Sequence, residues 1–287
     1  MRTALWVLCA AALLSAAPLD ENGVAFSHPD GKPLLLDLHV PDGPGPFPAA
    51  ILVHGGGFDT GTRSGGNVRP LFEPLADAGF AWFSIDYRLA PEAQLPQSVA
   101  DVNSAIVWVK QHSAEYRVDP RRIALIGESA GGYLVNYQGT HETPETRVAA
   151  VVDMYGPSDY AALALERRDH PERFNMKSID GHAAHGGGIH FSGADSLDAA
   201  GLAKLRAVAP IAAVHKGMPP FLCLQGNKDD QVAYSQSLTF CAAIRKAGAQ
   251  CRLVTIEGGG HGMGNWRAPE MQHWKTDMIA WLKETLR

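Results

Sequence analysis

The sequence predicts an α/β fold, with a mostly parallel sheet of about eight strands covered by helices on both faces. Three observations predict it. Short apolar strands alternate with helical patterns along most of the chain, several of those strands are unbroken apolar runs, and 287 residues suffice for one large domain. Strands are expected at 34–39, 49–53, 80–86, 123–126, 148–154, 221–224 and 252–256, each carrying the β-branched or aliphatic residues that fit a pleated, buried surface. Between them, Ser98 followed by Asp101 resembles a capping box ahead of Val102, Ala105, Ile106 and Val109, and a closing amphipathic helix is expected from about 269 to 286. Residues 157–217 break the alternation. That stretch is rich in Gly, His, Asp and Arg with only short helical pieces, such as 197–208, and reads as an insertion over the sheet within a single domain, 18–287.

The amino terminus reads as a secretory leader over residues 1–17. A short basic start precedes an apolar run at 4–14, and Ser15-Ala16-Ala17 supplies small residues for cleavage. The run is shorter than the roughly 20 residues a membrane-spanning helix needs, so the expectation is a secreted or periplasmic protein with no membrane association once the leader is gone. Export leaves Cys223, Cys241 and Cys251. An odd number excludes a disulfide framework, and a local bridge between Cys241 and Cys251 stands beside the alternative of three buried thiols. Lys and Arg total 25 against 30 Asp and Glu, a net charge of −5 with no basic block, which argues against nucleic acid as a partner.

The chemistry gathers in four loops. The strand Ile123-Ala124-Leu125-Ile126 runs directly into Gly127-Glu128-Ser129-Ala130-Gly131 and then into a helix start, the G-x-S-x-G pattern in a strand–turn–helix context. Small flanking residues permit the strained turn that lifts a serine Oγ clear of the sheet. His54-Gly55-Gly56-Gly57-Phe58 follows the strand at 49–53, and the N–H groups of Gly56, Gly57 and Ala130 are the expected donors to a tetrahedral oxyanion. A phosphate cradle is the competing account of a glycine-rich loop, but neither dinucleotide nor Walker spacing is present. Of 12 histidines, His261 is singled out by Gly258-Gly259-Gly260 before it and Gly262 after it, in the loop between the last strand and the last helix. A triad also needs an acid to orient the imidazole, and Asp229 and Asp230 both lie after the strand at 221–224.

Taken together, His54-Gly-Gly-Gly-Phe58, Asp86-Tyr87-Arg88-Leu89-Ala90-Pro91-Glu92, Gly127-Glu-Ser129-Ala-Gly-Gly132, Gly226-x-x-Asp229-x-x-Val232 and Gly260-His261-Gly262 resemble the α/β-hydrolase esterases of the hormone-sensitive-lipase-like group and the related acetyl-xylan and feruloyl esterase clade. The resemblance runs from about residue 22 to the end. It implies Ser129 as nucleophile, Asp229 as the acid, since it occupies the family's G-x-x-D-x-x-V position, and His261 as base, in the chain order of α/β hydrolases. The Tyr87-Arg88 segment is then structural. The family's larger amino-terminal helical cap is missing, and Ala209-Pro210 stands where Ser-Pro is usual. The implied activity is hydrolysis of short-chain acyl esters, with acetyl or feruloyl esters of plant polysaccharides as candidate substrates and no cofactor. A prolyl-oligopeptidase-type serine peptidase and a non-catalytic binding protein are the alternatives, disfavoured by the absence of room for a propeller domain and by the complete triad. Phe58 and Trp266 are expected to line the substrate pocket, and Trp82 and Trp108 to be core. A metal cluster of His182, His185 and His190 is disfavoured, because no further ligand completes a set.

Overall fold

The computed structural model describes residues 17–287, so the expected leader lies outside the described residues except for Ala17. Eight strands form one sheet: β1 (Leu19–Ser27), β2 (Leu34–Val40), β3 (Phe47–Val53), β4 (Ala81–Ile85), β5 (Val118–Glu128), β6 (Ala150–Met154), β7 (Phe221–Gly226) and β8 (Cys251–Ile256). Their order is β1-β2-β4-β3-β5-β6-β7-β8, with β2 antiparallel to both neighbours and every pair from β4 to β8 parallel. This is the α/β-hydrolase fold.

The strand period of two divides the core between the faces of the sheet. Along β3, Ala49, Ile51 and Val53 join one cluster while Ala50 and Leu52 join the other, all fully buried. The first cluster is covered by α2 (Leu95–Gln111), α3 (Ala130–Thr140) and α7 (Ser235–Lys246), through residues such as Val102, Leu134 and Phe240. The second is covered by α1 (Phe72–Asp77) and α8 (His273–Thr285), through Leu75, Trp274, Met278 and Leu282. Residues 157–217 contain α4 (Tyr160–Asp169), α5 (Met176–Ala184) and α6 (Ala199–Ala207).

Several boundaries differ from expectation for identifiable reasons. Helix α2 starts at Leu95 with a capping box formed by Gln94 and Gln97, so Ser98 and Asp101 do not cap it. They hold Arg88 instead: Ser98 Oγ donates to the Arg88 carbonyl at 2.6 Å, and Asp101 Oδ1 accepts from Arg88 Nη2 at 2.8 Å. Tyr87 beside it donates its hydroxyl to the His54 carbonyl at 3.0 Å, which ties the end of β4 to the loop after β3. At the carboxyl edge, Cys241 of α7 and Cys251 of β8 are joined in a disulfide with their Cα atoms 5.4 Å apart, and Cys223 is a buried free thiol.

Candidate active site

The loops that leave the carboxyl ends of β3, β5, β7 and β8 converge, as ligand-binding loops of open parallel sheets do. Ser129 stands between β5 and α3 with φ 53° and ψ −115°, a conformation that is costly for a residue with a Cβ and persists because its surroundings fix it. Its N–H donates to the Met154 carbonyl at the end of β6, 2.9 Å away, and its carbonyl accepts from Tyr133 one turn into α3. The glycines on either side have a steric reason: a Cβ on Gly131 would lie 2.2 Å from the Val53 carbonyl oxygen, and one on Gly127 would lie 2.2 Å from that of Gly131. Strand β3 and the start of α3 thus meet backbone to backbone directly behind the serine.

Ser129 Oγ lies 2.9 Å from His261 Nε2, and His261 Nδ1 lies 2.9 Å from Asp229 Oδ2. The Asp229 carboxylate is fully buried and its Oδ1 also accepts from the N–H groups of Gln231 and Val232 at 2.9 and 2.8 Å. Asp230 is exposed, and its carbonyl accepts from the Asn175 N–H at 2.7 Å. The sequence left two adjacent acids in competition, and only Asp229 faces the imidazole.

Gly56 and Gly57 adopt φ values of 109° and 63°, and among the described residues neither of their N–H groups has an acceptor. Both line a cavity of about 550 Å³ together with Ser129, Ala130 and His261, within the size range of small-molecule sites. Ala130 opens α3, where the first helical N–H groups have no intrahelical acceptor and the helix dipole favours negative charge. Three backbone donors therefore border the space in front of Ser129 Oγ.

The two aromatic residues expected at the pocket are elsewhere. Phe58 is fully buried, stacked on Phe191 with ring centroids 4.1 Å apart and edge-on to Tyr133, because its positive φ of 72° turns the side chain down into the core. Trp266 is also fully buried, packed against Tyr155 and Trp274, with its Nε1 donating to the Gly260 carbonyl at 2.8 Å. Neither borders the cavity, so Phe58 and Trp266 shape it only from behind. Trp82 and Trp108 are partly buried and pack against the two core clusters.

Other residues near Ser129 and His261 were given no role at this site from sequence. Glu128, directly before Ser129, is buried, and its Oε1 accepts from the Gly55 N–H at the base of the glycine loop. Burial pushes its carboxyl above the ordinary range, opposed by the hydrogen bond from Gly55 and by the nearby His261. Tyr155, at φ 48° after β6, lays its ring edge-on to His261 at 5.1 Å. From the insertion, His182 reaches over the glycine loop, its Nδ1 2.6 Å from Oδ1 of the buried Asp59. A Cβ on Gly57 would lie 2.3 Å from that imidazole. Glu128 is the x of G-x-S-x-G and His182 is one of the three histidines weighed as a metal cluster, whereas Tyr155 carries no sequence signal. His182 and His185 both approach Asp59, yet among the described residues no group of three or more His, Cys, Asp or Glu is arranged to hold a metal ion.

Esterase LipQ of Mycobacterium tuberculosis is 33% identical over 236 residues, which cover 77% of this chain and 52% of LipQ. The probable carboxylic ester hydrolase LipM of the same organism is 30% identical over 228 residues, covering 72% of this chain and 47% of LipM. The chain thus spans about half the length of these curated relatives. Among solved structures, the propionate-bound thermophilic esterase Est2 of the Planctomycetes species Thermogutta terrifontis superposes with a TM-score of 0.69 at 26% identity, covering 92% of each chain. The BD-FAE family model matches residues 36–244, a span that carries the glycine loop, the Ser129 turn, the insertion and Asp229. With the eight-stranded sheet and the loops gathered at its carboxyl ends, that match makes the chain a member of the BD-FAE family of α/β hydrolases.

Proposed function

We propose that this protein is a serine carboxylic ester hydrolase that works through an acyl-enzyme on short-chain acyl esters. The observation that carries the reading is the unbroken hydrogen-bonded line from Ser129 Oγ through His261 to the buried Asp229, beside a cavity bordered by free backbone N–H groups. His261 Nε2 takes the Oγ proton as Oγ attacks the ester carbonyl, and Asp229 stabilises the imidazolium that forms. The N–H groups of Gly56, Gly57 and Ala130 receive the oxyanion. Collapse of the tetrahedral adduct releases the alcohol with the proton from His261, and a water then repeats the sequence on the acyl-enzyme.

The bound propionate of Est2 supports a short acyl group, and the family's membership supports acetyl or feruloyl esters of plant polysaccharides as natural substrates. The leader-like amino terminus supports export to a secreted or periplasmic location. Two measurements test the reading. Ser129→Ala should fold normally and lower kcat for a nitrophenyl acetate by roughly 10⁴- to 10⁶-fold; retention of a tenth of wild-type turnover refutes the assignment. Along an acyl series, kcat/KM should peak between acetyl and butyryl and fall beyond hexanoyl. A value that keeps rising through decanoyl would demand a deep acyl tunnel, since each added methylene contributes about 0.8 kcal/mol only while apolar surface remains to bury it.

A further inference from the structure

Helix α4 of the insertion turns Tyr160, Ala164 and Arg167 toward the cavity that holds Ser129, at helical spacings of four and three. Arg167 is the unusual member. Its Nε and Nη2 both donate to the Gln231 carbonyl, at 3.2 and 2.5 Å, and no acceptor among the described residues takes Nη1. It has no ion-pair partner there either, whereas Arg63, Arg88 and Arg173 each hold a carboxylate within 3.0 Å. The carboxylate beside it in sequence is occupied, because Glu166 is paired with Arg173 at 2.9 Å and accepts from Ser235 Oγ. Its charge feels Tyr160 and Asp229, and the Asp229 oxygens are already committed to His261 and two backbone N–H groups. Burial pushes the guanidinium below its ordinary value, the mark of a cation removed from water without a full counterion. Asp180, exposed on the cavity wall, and Glu128, tied to Gly55, are the other carboxylates lining the space.

A guanidinium fixed by one carbonyl, with its Nη1 donors unused among the described residues, on a residue that lines a substrate-sized cavity, is suited to receive a carboxylate. We propose that Arg167 is a specificity-determining residue that anchors a carboxylate carried by the ester substrate, so that the preferred esters are anionic. The assignment rests on the ester-hydrolase reading above. Two sources of the carboxylate are chemically distinct: the acyl group, as in a half-ester of a dicarboxylic acid, and the alcohol, as in an acylated hydroxy acid or uronic acid.

The test compares matched charged and neutral esters. 4-Nitrophenyl hydrogen succinate against 4-nitrophenyl butyrate probes the acyl side, and 3-acetoxybenzoate against 3-acetoxybenzamide probes the alcohol side. For at least one pair, the wild-type ratio of kcat/KM, anionic over neutral, should exceed that of Arg167→Gln by about ten- to a hundredfold, the range of a charge-assisted hydrogen bond. Arg167→Lys should recover part of the ratio, and raised ionic strength should lower it in the wild type and in Arg167→Lys but not in Arg167→Gln. Because the readout is a ratio, a general loss of activity in the variants does not mimic it, and the salt dependence of the wild type stands even if both variants fail to fold. Equal ratios in wild type and Arg167→Gln for both pairs, or a wild-type ratio indifferent to salt, would overturn the assignment and leave Arg167 as a brace for the Gln231 loop. Turnover of none of the four esters would instead overturn the ester-hydrolase reading itself.

Discussion

Replacing Asp229 by asparagine removes one charge and almost no volume, so its effect is decided by hydrogen bonding and charge alone. The carboxylate meets four donors with two oxygens: Oδ1 accepts from the N–H groups of Gln231 and Val232, Oδ2 accepts a long bond from Gln225 Nε2 at 3.4 Å, and the His261 Nδ1–H lies within reach of both oxygens, at 3.0 and 2.9 Å. Asparagine has a single oxygen. If that oxygen stays on the two loop N–H groups, sparing the roughly 1–3 kcal/mol that each unsatisfied buried donor costs, the amide NH2 faces Nδ1. Nδ1 must then accept, the ring proton moves to Nε2, and Nε2 can no longer take the proton of Ser129 Oγ 2.9 Å away. Loss of the tautomer and of the charge that stabilises the imidazolium is worth about 10⁴ in kcat, or about 5.5 kcal/mol of transition-state stabilisation. Asp229→Asn should therefore lose about four decades of kcat/KM on 4-nitrophenyl acetate while unfolding at nearly the wild-type temperature. Asp230→Asn should change kcat only a few-fold, because that side chain is exposed. If Asp229→Asn keeps more than about 1% of wild-type activity, or if Asp230→Asn falls as far, the tautomer argument fails.

Three further perturbations probe the same packing. Glu128→Ala strands the buried Gly55 N–H; it should lose about 1–3 kcal/mol of stability and lower kcat more than KM, with Glu128→Gln, which keeps an acceptor, losing less in urea unfolding and in turnover. Asp153, fully buried on β6, has its carboxyl pushed up to about 7 by burial, so the native state holds a proton that the unfolded state has lost above pH 4. Its contribution is fully present in acid and declines by as much as about 4 kcal/mol as pH rises from about 4 to 7; Asp153→Asn should flatten that decline in pH-dependent unfolding, and an unchanged slope would show that Asp153 is not its source. Reducing the Cys241–Cys251 bridge, which closes a loop of sequence separation 10, should cost about 2–3 kcal/mol in denaturant unfolding, and no change on reduction would show that the bridge contributes nothing to stability.

The sheet was legible wherever a strand is buried on both faces, since β3, β6, β7 and the second half of β5 are largely apolar and buried, whereas the polar, partly exposed start of β5 at 118–122 was not read as strand. Strand β1 was missed because it is an edge strand in which Phe26 is the only buried residue, so its sequence carries neither an apolar run nor a clean alternation. The loops that carry Ser129, His261 and the glycines after β3 were legible because tight turns demand glycine at fixed offsets, and those offsets survive in the sequence as patterns. The walls of the cavity were not. Helices α4 and α5 are short, half-exposed and contribute His182 and Arg167 by tertiary placement, which no local period records. Phe58 and Trp266 were misjudged for the converse reason: proximity in sequence to a catalytic loop says nothing about which way a side chain turns, and positive φ at Phe58 turns it inward.

The glycine loop after β3 shows why the site's rigid and variable parts meet where they do. From below it is held by Glu128, whose carboxylate takes the Gly55 N–H, and by Tyr87, whose hydroxyl donates to the His54 carbonyl; both anchors belong to the sheet framework. From above it is covered by His182, which the buried Asp59 holds in place and which belongs to the insertion. A side chain at Gly55 would strike Glu128, at Gly56 the Thr60 carbonyl, and at Gly57 the His182 ring, so each glycine answers to a different neighbour. Donors clamped from both sides need no reorganisation when negative charge develops, which is the condition under which backbone N–H groups stabilise an oxyanion most. The upper clamp is also part of the cavity wall, so any change in α5 that reshapes the cavity bears on the loop that carries Gly56 and Gly57, two of the proposed oxyanion donors. Specificity and turnover are for that reason expected to change together when α5 is altered, whereas Arg167 on α4 bears on the site by another route: among the described residues its hydrogen bonds go to the carbonyl of Gln231, whose N–H donates to Asp229, and none goes to the glycine loop.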